Sequence, residues 1–167
     1  MTDLRAFEPT DAPLVASWID SEESLVVWSG KAAFTWPFDP RQLVAFHAAD
    51  PTRRPYTAVD RGGAPVGHLM LRSTGGAVRL GMVLVSPGAR GHGHGEAMIV
   101  AGLAEAFASP EADSVELGVY AHNARAMRLY ERLGFRPERV DERSVSVAGQ
   151  WWDSVTMRLT RQEWLES

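Results

Sequence analysis

The strongest constraint on the fold is a glycine loop between an apolar run and a helical pattern. The stretch reads Val83-Leu-Val-Ser-Pro-Gly-Ala-Arg90-Gly-His-Gly-His-Gly95-Glu-Ala-Met98. Alternate glycines leave the backbone bare, so that an anion can approach the N–H groups. The start of a helix adds more free N–H groups and the positive end of a dipole. The stretch therefore predicts a strand, an anion-binding loop and a helix in direct succession.

Three kinds of loop can be compared with this one. Two histidines at i and i+2, with no cysteine in the chain and no third ligand nearby, make a poor metal site. A Walker loop ends in Gly-Lys-Ser/Thr, and this loop has no lysine. A dinucleotide fingerprint requires glycine where Glu96 stands and normally marks the first βα turn. A cradle for a pyrophosphate remains, in which Arg90 adds a charged donor.

Hydrophobic periodicity and turn signals predict the other elements. The aromatic segment 24–38 predicts irregular structure. The order of the elements predicts one mixed α/β domain over residues 1–167. The predicted strands are 4–7, 56–59, 66–71, 78–85 and 115–120, followed by two around Val145–Val147 and Val155–Leu159. The predicted helices begin at Thr10 or Asp11, at Asp39-Pro40, after the glycine loop, and at Asn123, the last ending at Gly134.

Composition argues against several classes of function. The formal charge of −4, from 17 basic and 21 acidic residues, predicts no general affinity for nucleic acid. Arg125, Arg128 and Arg132 are too sparse to form a basic face and are interpreted as solvated charges. No window approaches the roughly 18 apolar residues of a membrane span, and no signal peptide is visible. We therefore expect a cytoplasmic protein with no membrane partner.

A second stretch, Asn123-Ala-Arg-Ala-Met-Arg-Leu-Tyr130-Glu-Arg-Leu-Gly134-Phe135, lies about 30 residues after the loop. Together the two stretches resemble the GNAT superfamily of N-acetyltransferases. The loop matches its Arg-x-x-Gly-x-Gly pattern, and the second stretch matches Asn-x-x-(small)-x-x-x-Tyr-x-x-x-Gly-Phe. The resemblance covers essentially the full chain. It implies the GNAT acyl-CoA N-acyltransferase fold, an α/β fold with a mixed, mostly antiparallel central sheet flanked by helices. Within the superfamily, the run 130–135 and the stretch 151–159 look most like small bacterial acetyltransferases of the RimJ/RimL-like kind.

The resemblance implies acetyl-CoA as co-substrate, no metal, and a role for each matching residue. The loop would wrap the pyrophosphate, the strand before it would pair with the pantetheine arm, and Asn123 would bind the cofactor nearby. Tyr130 would be the general acid that protonates the CoA thiolate. A plain helix cap for Asn123 and a core tyrosine at position 130 remain as alternatives. The implied cofactor-binding residues are Val83, Val85, Arg90, Gly91, His92, Gly93, His94, Gly95, Glu96 and Asn123.

No general base can be named from the residues. The branch that acetylates ribosomal-protein N-termini carries Leu-Glu-Val where this chain has Leu117-Gly118-Val119, so the carboxylate is missing. Glu116 is one position away and is expected on the other face of its strand. Other branches carry glutamate on the strand before the loop, and this chain has Arg79 or Gly81 at the corresponding positions. The remaining candidates are His68, His122, Asp153 and a chain of water molecules.

The acceptor is expected to be a small-molecule amine held among aromatic residues. Each of these aromatics could instead pack between helix and sheet. They are Trp28 in the run Trp28-Ser-Gly30, Phe34, Trp36, Trp151 and Trp152. Only Glu22 and Glu23 add negative charge there, so a polyamine is not indicated. The alternatives are a protein N-terminus or lysine as acceptor, a non-catalytic acyl-CoA-binding module, and a metal- or nucleotide-binding switch built on the loop. A homodimer is an expectation taken from the family alone.

Overall fold

One seven-stranded sheet organises the protein, which a computed structural model describes over residues 1–167. The strand order is β1-β2-β3-β4-β5-β7-β6, and every neighbouring pair is antiparallel except β4 with β5. The strands are β1 (Asp3–Ala6), β2 (Arg53–Val59), β3 (Pro65–Thr74), β4 (Ala77–Val85), β5 (Ser114–Tyr120), β6 (Arg136–Val147) and β7 (Gln150–Thr160). The helices are α1 (Ala12–Ser17), α2 (Glu22–Ser29), α3 (Pro40–Ala48), α4 (His94–Phe107), α5 (Ala124–Arg132) and α6 (Arg161–Glu166).

This architecture confirms the predicted mixed, mostly antiparallel sheet flanked by helices. The prediction of irregular structure over 24–38 was wrong at its beginning, because α2 extends to Ser29. The Ser21 side chain caps α2 by accepting the Ser24 N–H at 3.1 Å, and Gly30 ends it with a φ of 76°. The many aromatic residues of this segment led us to overlook Ser21 and Gly30 as capping residues. The short α6 was also missed, although Thr160 and Glu163 form a capping box at its start.

Helices cover both faces of the sheet. On one face, α4 buries Met98, Ile99 and Leu103 against apolar side chains of the central strands. On the other face, α1, α2 and α3 pack on Met70 and Met82 among others. Burial of apolar area on both faces is the main favourable contribution to folding. No helix is both long and apolar enough to cross a membrane, and α4, of 14 residues, is the longest.

The parallel pair in the centre of the sheet separates soon after it begins. Strands β4 and β5 pair only from Ala77–Arg79 to Ser114–Glu116, and the later residues of both strands diverge. A bulge in β4 accompanies this divergence. The register against β3 shifts there, and Met82 has a φ of 53°, in the left-handed region that a methionine rarely adopts. The divergence leaves one edge of β4 without a partner strand.

A buried carboxylate ties the start of the chain to the sheet. Asp11 occupies the N-cap position of α1, as predicted for Thr10 or Asp11, but its side chain makes no cap bond to that helix. Instead it accepts two hydrogen bonds from the Arg5 guanidinium, both at 2.8 Å, and one from the Thr57 hydroxyl at 2.8 Å. The Glu8 N–H adds a fourth at 2.9 Å. Arg5 is the main cause that holds the pKa of Asp11 at about 2.

We expect Asp11→Asn to lower the free energy of unfolding by about 2–3 kcal/mol near neutral pH, since Arg5 and Thr57 lose their charged acceptor. The pKa of Asp11 is about 2 in the folded protein against an ordinary value of 3.8. The carboxylate therefore stabilises the fold fully above about pH 4, and this contribution disappears as the pH falls through 2. Urea unfolding of both proteins across this range should show the difference shrinking with acidity. Asp3→Asn, on an exposed residue of β1, is the control; a pH-independent difference would contradict the argument.

Candidate active site

The gap between β4 and β5 opens into a cleft of about 860 Å³. Its walls are the second half of β4, the glycine loop, the end of β5, one face of α5, and the stretch 17–28 at the end of α1 and in α2, which contributes Asp20 and Glu23. Nearly all of the residues predicted to bind the cofactor or act in catalysis lie along this one cavity. They are Val83, Val85, Arg90, Gly91, Gly93, His94, Gly95, Glu96, Asn123 and Tyr130.

The glycine loop presents unpaired donors to the cleft. Gly91 and Gly93 have φ values of 80° and 82°, a conformation that costs L-residues free energy because of their Cβ. The first backbone hydrogen bond of α4 runs from the Ala97 N–H to the Gly93 carbonyl, and the N–H groups from Gly91 to Glu96 have no backbone acceptor. Such a row of N–H groups at a helix start binds anions.

The two loop histidines point to other partners. The Nδ1 atom of His92 lies 2.9 Å from the Arg90 carbonyl oxygen, and His92 does not line the cleft. His94 lines the cleft, and its Nδ1 atom lies 2.9 Å from the Thr2 hydroxyl. No group of three or more histidine, aspartate or glutamate side chains is arranged to hold a metal ion.

The unpaired edge of β4 also faces the cleft. Ser86 donates its N–H to the Val66 carbonyl of β3, so the backbone groups of Val85, one residue earlier, point to the opposite edge. Arg90 Nε lies 3.2 Å from the Val85 carbonyl oxygen, which confirms that direction and secures the loop to the strand end. An extended ligand can therefore add to β4 in the manner of another strand.

The bulge in β4 is fixed by a tryptophan from α2. Trp28 Nε1 donates to the Met82 carbonyl at 2.8 Å, and this bond is buried. The indole also stacks on Phe34, with ring centroids 5.8 Å apart and an interplanar angle of 18°. A buried carbonyl group without a hydrogen-bond partner costs free energy, and the bond from Trp28 removes that cost at Met82. Trp28 thus holds the strained residue at the point where the sheet opens.

Tyr130 lies at the inner wall of the cleft. Its side chain is 9% exposed and packs edge-on against Phe135, with ring centroids 5.9 Å apart. Burial raises its pKa to about 12, so the hydroxyl stays protonated at neutral pH. Asn123 caps the helix that carries it, since its Oδ1 accepts the Ala126 N–H at 3.3 Å. The cap leaves the amide NH₂ of Asn123 available to a ligand.

Two arginines of α5 were missed as site residues. Arg125 and Arg132 line the cleft, although the sequence led us to interpret them as ordinary solvated charges. Arg132 forms an ion pair with Glu96 of the loop at 3.1 Å. Their spacing of seven residues places both on the same helical face, and that face could have been matched to the loop. Together with Arg90 they add positive charge where the free N–H groups lie.

A second cavity, of about 450 Å³, adjoins the first, and α2 lines both. Both cavities share residues at the opening of the sheet, among them Trp28, Met82 and Tyr120. The shared residues include no carboxylate and no histidine. Because the two cavities share the residues at the opening, a ligand in one cavity can reach a ligand in the other.

The candidates for a general base lie outside both cavities. His68 is fully buried, its Nε2 lies 3.2 Å from His47 Nε2, and burial lowers its pKa to about 3. His122 is exposed and lies against Trp152, with ring centroids 4.5 Å apart. Asp153 accepts the Arg143 N–H at 2.8 Å. None of the three is placed to take a proton at the opening.

The aromatic residues proposed for the acceptor divide into three groups. Trp28 lines both cavities, and Ser29 and Gly30 after it line the second. Phe34 and Trp152 are buried in packing, as the alternative interpretation held. Trp36 and Trp151 are exposed and line neither cavity.

The chain is similar in sequence to known acetyltransferases. A model of the Acetyltransferase (GNAT) family matches residues 16–135. A mycothiol acetyltransferase of Clavibacter michiganensis subsp. michiganensis (strain NCPPB 382) is 37% identical over 111 residues, which is 66% of this chain and 32% of that protein. The chain thus spans only about a third of the length of this relative.

Solved structures share the fold over the whole chain. Spermidine N-acetyltransferase from Vibrio cholerae, in complex with CoA and spermine, has a TM-score of 0.83 at 20% identity and covers 98% of both chains. A chimera of the Vibrio cholerae enzyme SpeG and hSSAT also has a TM-score of 0.83, at 19% identity and with 99% of both chains covered. At these identities the likeness establishes the fold.

We expect Trp28→Phe to release the bulge, because the Met82 carbonyl loses its donor while the aromatic packing is largely kept. Leaving a buried carbonyl unpaired should lower the free energy of unfolding by about 1–3 kcal/mol. Hydrogen–deuterium exchange of the peptide that covers residues 81–84 should become faster. Trp164→Phe, at a tryptophan that stacks on Phe107 far from the cleft, is the matched control. Unchanged exchange at the bulge would show that Trp28 does not hold it.

Proposed function

The chain belongs to the Acetyltransferase (GNAT) family, whose model matches well over half of it, and we propose that it moves the acetyl group of acetyl-CoA to the amine of a small molecule. The family's co-substrate is acetyl-CoA. We further assign the chain to the RimJ/RimL-like branch, on the run from Tyr130 to Phe135 and on the sequence of β7.

The divergence of β4 from β5 is the observation that carries this proposal. It creates a cleft with an unpaired strand edge at one end and free N–H groups at the other. A pantetheine arm offers amides that can pair with the edge near Val83 and Val85, and a pyrophosphate suits the N–H groups between Gly91 and Glu96. The cations Arg90, Arg125 and Arg132 complement the phosphate charge. The residues present therefore fit CoA.

The reaction requires one bond to form and one to break. The acceptor nitrogen bonds to the acetyl carbon, the carbon–sulfur bond breaks, and the sulfur takes a proton. Tyr130 is the assigned donor of that proton, since its hydroxyl is protonated and lines the cleft. The N–H of Val85, on the unpaired edge of β4, is assigned to the negative charge that develops on the carbonyl oxygen. The burial that weakens the tyrosine as an acid also strengthens a nearby thiolate as a base.

The acceptor amine must lose a proton before it attacks. The only titratable side chain that the two cavities share is Tyr120, whose pKa is raised by burial. No carboxylate or imidazole stands at the junction, and we therefore assign the proton to a chain of water molecules that leads out through the second cavity. Arg53 and Arg72 line the second cavity, and their positive charge lowers the pKa of a bound ammonium, which favours loss of its proton to water.

The second cavity supports a small molecule as acceptor. Its volume of about 450 Å³ lies within the range typical of small-ligand sites, roughly 300–1,000 Å³. Side chains of α2, α3 and β6 surround it, including Val27, Phe46 and Asp141. A protein N-terminus or a lysine side chain would require a more open groove. A non-catalytic binding module is the remaining alternative, and kinetics of the Tyr130 variant separate it from an enzyme.

We expect Tyr130→Phe to lower kcat by about 100-fold, at the lower end of the range for loss of general acid catalysis. Affinity for acetyl-CoA should be unchanged, because the ring still packs on Phe135. Free-thiol release with a panel of amines measures the rate, and Tyr56→Phe on β2 is the control. Since the pKa of Tyr130 is about 12, the wild-type rate should show no decline from this group below about pH 10. Full activity of the variant would remove Tyr130 from the chemistry.

We expect Gly93→Ala to weaken CoA binding by about 10-fold or more, because the loop must leave its φ of 82° and its N–H groups then turn from the phosphate. Gly63→Ala is a matched control. Gly63 has a φ of 85° and, like Gly93, open space around its missing Cβ, but it lies in the β2–β3 turn. Both variants should lose similar stability, and only Gly93→Ala should raise the Kd for CoA in calorimetry. Equal Kd values in the two variants would contradict a role for the loop in binding.

A further inference from the structure

A row of arginines crosses the face of the sheet beneath the second cavity. Arg53 of β2 pairs in register with Arg72 of β3, and Arg72 pairs with Arg79 of β4. Residues directly opposite one another on neighbouring strands share a face of the sheet. All three line the second cavity, and Arg139 of β6 joins them from the far side. Asp141 is the only carboxylate among the lining residues.

Three of these four arginines already have acidic partners. Arg72 forms an ion pair with Asp50 at 3.3 Å, and Arg53 lies 3.8 Å from the same carboxylate. The guanidinium of Arg53 also lies 3.6 Å from the centre of the Phe46 ring. Arg139 pairs with Asp141 at 3.1 Å. Asp141 balances Arg139, whereas Arg53 and Arg72 share one carboxylate and keep a net positive charge between them.

Arg79 is the arginine without a partner. Its side chain is half-buried, and it makes no ion pair and no hydrogen bond within the chain. Glu116, its neighbour in the parallel ladder, forms an ion pair with Arg158, which Glu138 also contacts at 3.3 Å, and not with Arg79. A half-buried cation with no counter-ion costs free energy unless a ligand supplies one. The unbalanced charge lies at the last paired residue before the sheet opens.

Gly118 makes room for this guanidinium. A Cβ placed on Gly118 would lie 2.7 Å from the Nη2 atom of Arg79, closer than carbon and nitrogen atoms approach. Gly118 lines both cavities and stands at the junction where the reaction is assigned. Any side chain at this position would displace Arg79. The pair therefore places a cation where the acceptor must lie.

We propose that Arg79 binds an anionic group of the acceptor, so that the substrate is a small amine bearing a carboxylate or a phosphonate, in the manner of an amino acid. This inference rests on the proposed acetyltransferase function. A guanidinium can bind either group through two parallel hydrogen bonds. Arg53 and Arg72 extend the positive potential from the opening along the sheet. A polyamine would meet like charge along this whole path.

The experiment compares matched acceptors that differ only in the anionic group. Acetyl-CoA-dependent thiol release is measured with a set of α-amino acids, their amides, their decarboxylated amines and their aminophosphonate analogues, and with spermidine. We expect kcat/KM to be about 10- to 100-fold higher for an acid-bearing acceptor than for its amide, as for a hydrogen-bonded ion pair. The ratio of carboxylate to phosphonate identifies which anion the site prefers. Spermidine should be the poorest acceptor.

Variants of Arg79 test the residue itself. Arg79→Gln should remove the preference for the acid-bearing acceptor, mostly through KM, while turnover of the neutral amide is kept. Arg79→Lys should restore part of the preference. Arg61→Gln, in the β2–β3 turn outside both cavities, is the control. Thermal unfolding of each variant checks that the fold is intact.

The outcomes separate this inference from the proposed function. Turnover with equal rates for acids, amides and spermidine would overturn the inference and leave the transferase standing. Unchanged preference in Arg79→Gln would overturn it as well. If no amine is acetylated, the proposed function fails. Calorimetry then decides on Arg79: binding of the amino acid or aminophosphonate that is lost in Arg79→Gln supports the anion site, and no binding overturns it.

Discussion

The early end of the pairing between β4 and β5 is the constraint on which the other features of the site depend. Three pairs of residues hold the two strands together, and after Arg79 and Glu116 the strands separate. A strand edge in the middle of a sheet is normally paired, and an unpaired edge attracts another extended chain. Because the strands separate inside the molecule, this edge is protected from other proteins and open to a ligand. The two cavities meet at the same gap.

The polar groups around the gap are of two kinds. Some form hydrogen bonds within the chain, and others have no partner in the chain and are free to bind a ligand. Trp28 supplies the donor for the Met82 carbonyl, which would otherwise be buried and unpaired at the bulge. Arg90 supplies one for the Val85 carbonyl at the end of the strand. The N–H groups of the glycine loop receive no such partner, and all of the loop residues from Gly91 to Glu96 except His92 line the cleft. The pattern of satisfied acceptors and unsatisfied donors is the one expected of an anion site.

Features encoded by local backbone chemistry could be predicted from the sequence. The glycine loop, the helix cap at Asn123 and the left-handed turn at Gly134, with a φ of 95°, all lie where the residue types place them. Each depends on a few neighbouring residues, and the mixed sheet follows from the order of such elements. The missed features are non-local. The register that aligns Arg53, Arg72 and Arg79 involves three strands, and the placement of Arg125 and Arg132 beside the loop depends on how α5 packs. Asp11 shows the same limit, since its cap position was predictable and its bond to Thr57 of another strand was not.

The cation at the opening of the sheet bears on both substrate binding and proton transfer. At position 118, glycine leaves space that the Arg79 guanidinium fills. A carboxylate there would raise the pKa of a bound ammonium and then accept its proton, whereas a nearby cation lowers the pKa of that ammonium and favours the neutral amine. Arg53 and Arg72 share the single carboxylate of Asp50, so a net positive charge lies on the same face of the sheet as Arg79. Under the proposed function, the arginine row thus favours the neutral form of the acceptor amine, and water takes the proton at an opening whose shared residues include no carboxylate and no imidazole.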